Sequence, residues 1–278
     1  MQIIKSIEDM NRACREASRP LGLVPTMGAL HEGHLALVRK AHVDNTTVAA
    51  TIFVNPSQFS ANDDLTLYPR DLDRDLDLLN DEGVDLVFTP TPEAVYPNRF
   101  NTWVDVGALG EKLEGIHRPG HFRGVATVVA KLFNIVGPDR AYFGQKDGQQ
   151  TLVIRQLVRD LNLGLEVVIV PTVREADGLA LSSRNAYLTP EQRRAAPVIY
   201  QSLCQAKEQW LNGGRDAESL RQTVRVVLEQ ESMIEQIDYI SLSDATTLSE
   251  LETVEGHPLL LVAVKLGGPR LIDNIILE

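Results

Sequence analysis

The apolar positions in the first half of the chain alternate between two rhythms. Short continuous apolar runs bounded by turn residues read as buried strands, and apolar residues three and four apart read as helices. Residues 3–4 suggest a short strand, and residues 6–18 a helix with Ser6 as its N-cap. The run 21–24, closed by Pro25, reads as a buried parallel strand. Leu35, Leu37 and Val38 carry the chain into a helix. Residues 47–54 (TVAATIFV) are β-branched and apolar, hence a second buried strand. Leu72, Leu76 and Leu79 lie at helical spacing within 71–82; Gly83 stops that helix, and 84–88 reads as a third strand. Such β-α-β-α-β alternation predicts an α/β fold with a Rossmann-like, doubly wound parallel sheet.

The rhythm is less regular after Pro97. Residues 102–106 suggest a strand, and the glycine- and charge-rich stretch 110–124 a loop. A helix over 125–136, a strand over 141–143, a helix over 149–161 and a strand over 165–170 extend the α/β pattern. Residues 171–185 form a polar loop. Thr189 and Pro190 then open a helix with a cap and a first-position proline. Helices over 191–211 and 216–229 precede strands over 237–242, 259–264 and 270–272. Helices followed by strands predict a smaller C-terminal α+β domain. We therefore expect a first domain over 1–186 and a second over 187–278.

Composition narrows the function. The 278 residues, 44% hydrophobic, suffice for one large core or two modest ones. A net charge of −11 argues against nucleic acid or an anionic membrane as partner. The cysteines Cys14 and Cys204 cannot make a disulfide framework, which fits a reducing, cytoplasmic setting. The opening MQIIKSIEDMNR is not expected to be a signal peptide, and the longest apolar runs are too short for a bilayer.

The candidate chemistry lies at strand ends. His31 and His34 sit where the strand over 21–24 hands over to a helix N-terminus. The unpaired N–H groups and positive dipole end there favour anions, above all phosphate. Gly33 allows a nucleotide close to the backbone. A zinc site is conceivable, but neither cysteine shows ligand spacing. Four more loops carry unusual polar residues: Asn55 and Gln58; Arg118, His121 and Arg123; Lys146, Asp147 and Gln150; and Ser182, Ser183 and Arg184. Parallel strands present their carboxyl ends on one side, so these loops are expected to converge. The cations suit phosphates, and the amides Asn55, Gln58 and Gln150 suit a hydroxy acid. Singly, each has a plainer reading as a turn, a cap or a solvated side chain.

Seven blocks in order carry a resemblance over essentially the whole chain: PTMGALHEGH (25–34), FVNPSQF (53–59), YPR (68–70), RPGHFRGV (118–125), FGQKDGQQ (143–150), DGLALSSRN (177–185) and RLIDN (270–274). The chain resembles the pantothenate synthetase, or pantoate–β-alanine ligase, family of the HxGH nucleotidyltransferase-like superfamily. The resemblance implies attack of pantoate on ATP to give pantoyl adenylate and pyrophosphate, then attack of β-alanine to give pantothenate and AMP. It implies magnesium dependence and a cytosolic homodimer. ATP contacts would fall on Met27, Gly28, Ala29, Leu30, His31, Glu32, Gly33 and His34, on Gly144, Gln145, Lys146 and Asp147, on Val173, and on Leu181, Ser182, Ser183 and Arg184. His34 would be the proton donor, with His31, Lys146, Ser182, Ser183 and Arg184 sharing the catalytic work. Gln58 would meet pantoate and β-alanine, Gln150 pantoate, and Asn55 belongs to the same pocket. Asp63 and Asp64 are candidates for magnesium, though the resemblance assigns no metal ligands. The chain departs from the family pattern at Gln145, where glutamate is usual, and at Gly148, where an aromatic is usual. A nucleotidyltransferase that retains the nucleotide, a non-catalytic nucleotide sensor and a class I aminoacyl-tRNA synthetase are the rival readings.

Overall fold

The structure is a computed structural model that describes residues 1–59, 65 and 68–278. It divides into two compact units, Met1–Gly144 with Val153–Val170, and Gln145–Leu152 with Pro171–Glu278. The expected boundary at 186/187 thus falls inside the second unit, and the turn after Gly144 belongs there too. The side chain of Asn274 explains the latter: it donates to the carbonyls of Gln145 and Lys146.

Among the described residues, six strands build the first unit: β1 (Gln2–Ile4), β2 (Leu21–Thr26), β3 (Thr47–Ile52), β4 (Leu86–Phe88), β5 (Arg140–Gly144) and β6 (Glu166–Val170). They form one parallel sheet in the order β1-β4-β3-β2-β5-β6. The helices in chain order are α1 (Ile7–Glu16), α2 (Glu32–Asp44), α3 (Leu72–Asp81), α4 (Pro92–Val95), α5 (Glu114–His117), α6 (His121–Val136) and α7 (Gly148–Asp160), with α7 crossing the division between the units. Alternate strand residues serve opposite faces. Leu21, Leu23, Ala49, Leu86, Phe88, Ala141 and Phe143 join Met10 of α1 and Val125, Val129 and Leu132 of α6 in one core. Val24, Val48, Ala50, Val87 and Tyr142 join Leu37, Val38 and Ala41 of α2 and Leu79 of α3 in the other. The sheet is doubly wound.

Strand β2 runs through Pro25 to Thr26, two residues further than its sequence suggests. Proline cannot donate to a ladder and is normally kept from central strands. It is tolerated because the β2–β5 ladder covers only Gly22 and Leu23, while β2–β3 pairs from Leu21 to Thr26. The sheet therefore parts between the carboxyl ends of β2 and β5, where the strand order reverses. Open α/β sheets bind ligands at such a switch point.

Two irregular stretches depart from expectation. Residues 102–106 form no strand: Val104 N–H donates to Thr127 Oγ1, and Trp103 packs with Tyr96 and Phe100. Residues 110–124 are not one loop but contain α5 and the first turn of α6. Gly120 turns the chain into α6 with φ 81°, whereas Gly115 and Gly124 serve close approach. A Cβ on Gly115 would meet Gly110 O at 1.9 Å, and one on Gly124 would meet Ser57 O at 2.3 Å.

In the second unit, α8 (Pro190–Ala195), α9 (Val198–Leu211) and α10 (Ala217–Glu229) precede an antiparallel sheet β7-β8-β9 of Ile234–Ser243, Leu259–Leu266 and Arg270–Ile276. The expected helix over 191–211 is broken before Val198, where Pro197 lacks the N–H that would continue it. Ile199, Leu203, Leu220, Val224 and Leu228 pack with Leu242, Leu260, Val262 and Val264 in this unit's core.

Gly124→Ala is expected to lower unfolding stability by about 1–3 kcal/mol, because the methyl must displace the Ser57 backbone. Gly164→Ala, with no atom near its Cβ, should stay within about 0.5 kcal/mol of wild type. Urea titration of both variants checks the contrast.

Candidate active site

The turn after β2 is set by Asp75 of α3, which is 1% exposed. Its carboxylate accepts from the N–H groups of Ala29 at 2.7 Å and Leu30 at 2.8 Å. Gly28 and Ala29 both hold positive φ, 81° and 51°, a costly conformation for alanine. The two charge-assisted bonds offset that cost. Thr26 Oγ1 accepts from Gly28 N–H and donates to Thr51 O, tying the turn to β3.

The turn delivers a capping box made of two imidazoles. His31 is the N-cap of α2, and its Nδ1 accepts from Gly33 N–H at 3.2 Å. His34 Nδ1 accepts from His31 N–H at 3.3 Å, and the rings lie 4.1 Å apart. Serine with glutamate is the usual pair for this task. An Nδ1 that accepts carries no proton, so both rings hold theirs on Nε2. Both histidines are part-buried beside a helix N-terminus. Such an arrangement suits developing negative charge on phosphate.

After β3, Asn55 is 1% exposed and its hydrogen-bonding groups are occupied internally. Oδ1 accepts from Ser57 N–H, Ser57 Oγ and Tyr96 OH; Nδ2 donates to Gly124 O and to Gln58 Oε1. Burial pushes the Tyr96 phenol above its ordinary pKa, which keeps it a donor. The bond from Asn55 settles which end of the Gln58 amide is oxygen and leaves its NH2 end as the donor. Gln58 O accepts from His121 Nδ1 at 2.9 Å and from Arg118. Since a carbonyl only accepts, that His121 nitrogen carries the proton. Arg123 stands over Trp103 instead.

In the second unit, Lys146, Ser182 and Arg184 line one cavity, together with Asn185, Arg270 and Asp273. Lys146 Nζ lies 3.2 Å from the part-exposed Asp147 carboxylate. Ser182 caps a short 3-10 turn, its Oγ accepting from Arg184 N–H. Val173 O accepts from Leu181 N–H. Gln150 is part-buried on the first turn of α7.

The departures from the family pattern have a local reason. Gln145 Nε2 donates to Asn274 Oδ1 at 2.8 Å, which a carboxylate could not do. A Cβ on Gly148 would already stand 3.1 Å from the Asn274 amide.

Known proteins share this chain's sequence and fold. The family model described as pantoate-beta-alanine ligase matches residues 2–276. The chain belongs to that family. The pantothenate synthetase of Roseiflexus sp. is 54% identical, and that of Chloroflexus aurantiacus 56%, with 99–100% of each chain covered. The crystal structure of pantothenate synthetase from Thermus thermophilus superposes with a TM-score of 0.96 at 46% identity, each chain fully covered. The pantoate-beta-alanine ligase of Francisella tularensis, complexed with beta-gamma ATP and beta-alanine, matches with a TM-score of 0.82 at 33% identity, covering 100% of this chain and 98% of that one. As a pantoate–β-alanine ligase family member, the chain is an ATP-dependent enzyme that joins pantoate to β-alanine through an adenylate.

Sequence spacing does not reveal the residues that support these segments. Asp75 sits among several acids on α3 and cannot be singled out by spacing. Arg174 and Asp273 pair in the interior, 99 residues apart in sequence. Glu32, expected near ATP, is exposed and ion-paired with Arg39. Asp63 and Asp64 lie outside the described residues.

Asp75→Asn replaces one acceptor with a donor against the Ala29 and Leu30 amides. We expect the fold to persist, with pantoate-dependent ATP–pyrophosphate exchange slowed roughly 100-fold by a misplaced turn. Exchange at the wild-type rate would show that the clamp does not matter to catalysis.

Proposed function

We propose that the two half-reactions rest on a specific division of labour among these residues. In the first, a pantoate carboxylate oxygen bonds to the α-phosphorus of ATP and the bond to pyrophosphate breaks. His34, assisted by His31, donates through Nε2–H to charge developing on the phosphoryl oxygens. The capping box supports this reading most directly, since it holds both rings in the donor tautomer that the step requires. Met27, Gly28, Ala29, Leu30 and Gly33 bring backbone close to the nucleotide, with Gly144, Gln145, Val173 and Leu181 as further contacts. Lys146, Ser182, Ser183 and Arg184 hold the triphosphate. Gln58, held by Asn55, and Gln150 bind pantoate. In the second half-reaction the β-alanine amine, also met by Gln58, bonds to the acyl carbon and AMP leaves.

Magnesium would arrive with ATP. Among the described residues no group of three or more His, Cys, Asp or Glu could hold a metal ion. Magnesium needs only one or two carboxylates beside substrate phosphates. Asp147, part-exposed next to Lys146, has the chemistry for that role. Bound there, the ion would neutralise phosphate charge. A homodimer and a cytoplasmic location rest on the family resemblance.

His34→Ala is expected to slow adenylate formation by about 10²–10³-fold while the chain stays folded. His31→Asn separates capping from catalysis. Asparagine is a good N-cap, so thermal stability should hold while single-turnover adenylation falls. Equal loss of both would make His31 a structural cap alone.

Gln58→Ala should raise the concentrations of pantoate and β-alanine needed, through an unpaired buried group worth about 1–3 kcal/mol. Calorimetric ATP affinity should be unchanged. A selective loss of ATP affinity would move the pantoate pocket towards Gln150.

A further inference from the structure

Two adjacent polar residues lie in the interior of β9. Asp273 is 4% exposed and Asn274 2%. They pair with Val262 and Leu261 of the apolar strand β8. Polar groups at such positions cost stability unless every bond is made. Here the bonds run to two different segments. Asn274 Nδ2 donates to Lys146 O at 2.8 Å and Gln145 O at 3.0 Å, and its Oδ1 accepts from Gln145 Nε2. Asp273 accepts the Arg174 guanidinium in a two-pronged pair at 2.6 and 2.9 Å. Arg174 stacks over Tyr200 at 3.7 Å and donates to Gly178 O. Its backbone bridges to Ala180, two residues before Ser182. The residues are also joined to each other, since Asp273 Oδ1 accepts from Asn274 N–H at 2.7 Å.

Neighbouring strand residues point to opposite sides. This pair can therefore grip two segments from one rigid point. Both segments line the same cavity, through Lys146 on one and Ser182 and Arg184 on the other. We propose that Asp273 and Asn274 are positioning residues that lock the Lys146 turn and the Ser182–Arg184 segment into one preformed phosphate receptor. The proposal rests on the assignment of those segments to the triphosphate.

The test uses the full chain and two readouts. Pantoate-dependent ATP–pyrophosphate exchange reports the first half-reaction, and attack of β-alanine on preformed pantoyl adenylate reports the second. Asn274→Ala is expected to raise KM for ATP about tenfold in exchange, with the second half-reaction little changed. Residues that act through one another are non-additive. In a Lys146→Ala background, Asn274→Ala should therefore add less than about twofold. Asp273→Asn should be masked in the same way by Arg184→Ala. Should Asn274→Ala fail to fold in a melting scan, Gln145→Ala removes the amide facing Asn274 Oδ1 and keeps the Gln145 backbone, the part assigned to the nucleotide. It should raise KM about threefold, again masked by Lys146→Ala. Equal fold-changes with and without Lys146, or equal losses in both half-reactions, overturn the proposal alone. A Lys146→Ala enzyme with wild-type KM for ATP overturns the phosphate assignment, and the proposal with it.

Discussion

The parting of β2 from β5 is the constraint on which the first unit's chemistry depends. Their ladder stops at Leu23, while β2 continues beside β3 to Thr26. The last residues of β2 are thereby held on one side only. That freedom admits Pro25 and lets the chain enter the positive-φ turn at Gly28 and Ala29. A turn held on one side needs a second support, and Asp75 supplies it with two bonds to backbone N–H. The start of α2, and with it the imidazole pair, inherits its position from this support. Strand order, proline, acid and histidine cap form one mechanical sequence.

The same economy governs the imidazoles. A helix N-terminus needs acceptors for its unpaired N–H groups. A phosphoryl-transfer site needs donors aimed at developing charge. An imidazole offers both, an acceptor at Nδ1 and a donor at Nε2. Serine and glutamate would satisfy the helix alone. The spacing of His31 and His34 is thus explained by the cap: the third residue of the first turn is the one whose side chain can reach back to the N-cap N–H.

What was legible in the sequence was what repeats. Alternating strands and amphipathic helices gave the doubly wound sheet, because burial enforces periodicity. The HxGH turn was legible because a strand end, a glycine and a helix start coincide there. Where single atoms decide, the pattern misleads. Gly115 and Gly124 look like loop glycines, yet each is a point where helix backbone lies against another carbonyl. Residues 102–106 look like a strand, yet Val104 spends its N–H on a threonine. The Asn55 amide bonds Ser57, Tyr96 and Gly124 as well as Gln58, a set of partners that its turn does not announce. Asp75, Arg174 and Asp273 are set by partners far away in sequence, which no local spacing encodes.

The acidic balance of the chain sharpens the question of how it holds a triphosphate. There are 38 acids against 27 lysines and arginines, so the net field opposes the ligand. That field is screened beyond about 8 Å at physiological salt. Recognition must come from groups in direct reach. Three of the acids are engaged by groups of their own unit. Asp75 faces backbone N–H, Asp273 faces the Arg174 guanidinium, and Asp147 faces Lys146. Carboxylates bound in this way rigidify the donors around them while presenting little uncompensated charge. A net acidic balance is thus compatible with anion recognition by N–H groups and cations in direct reach.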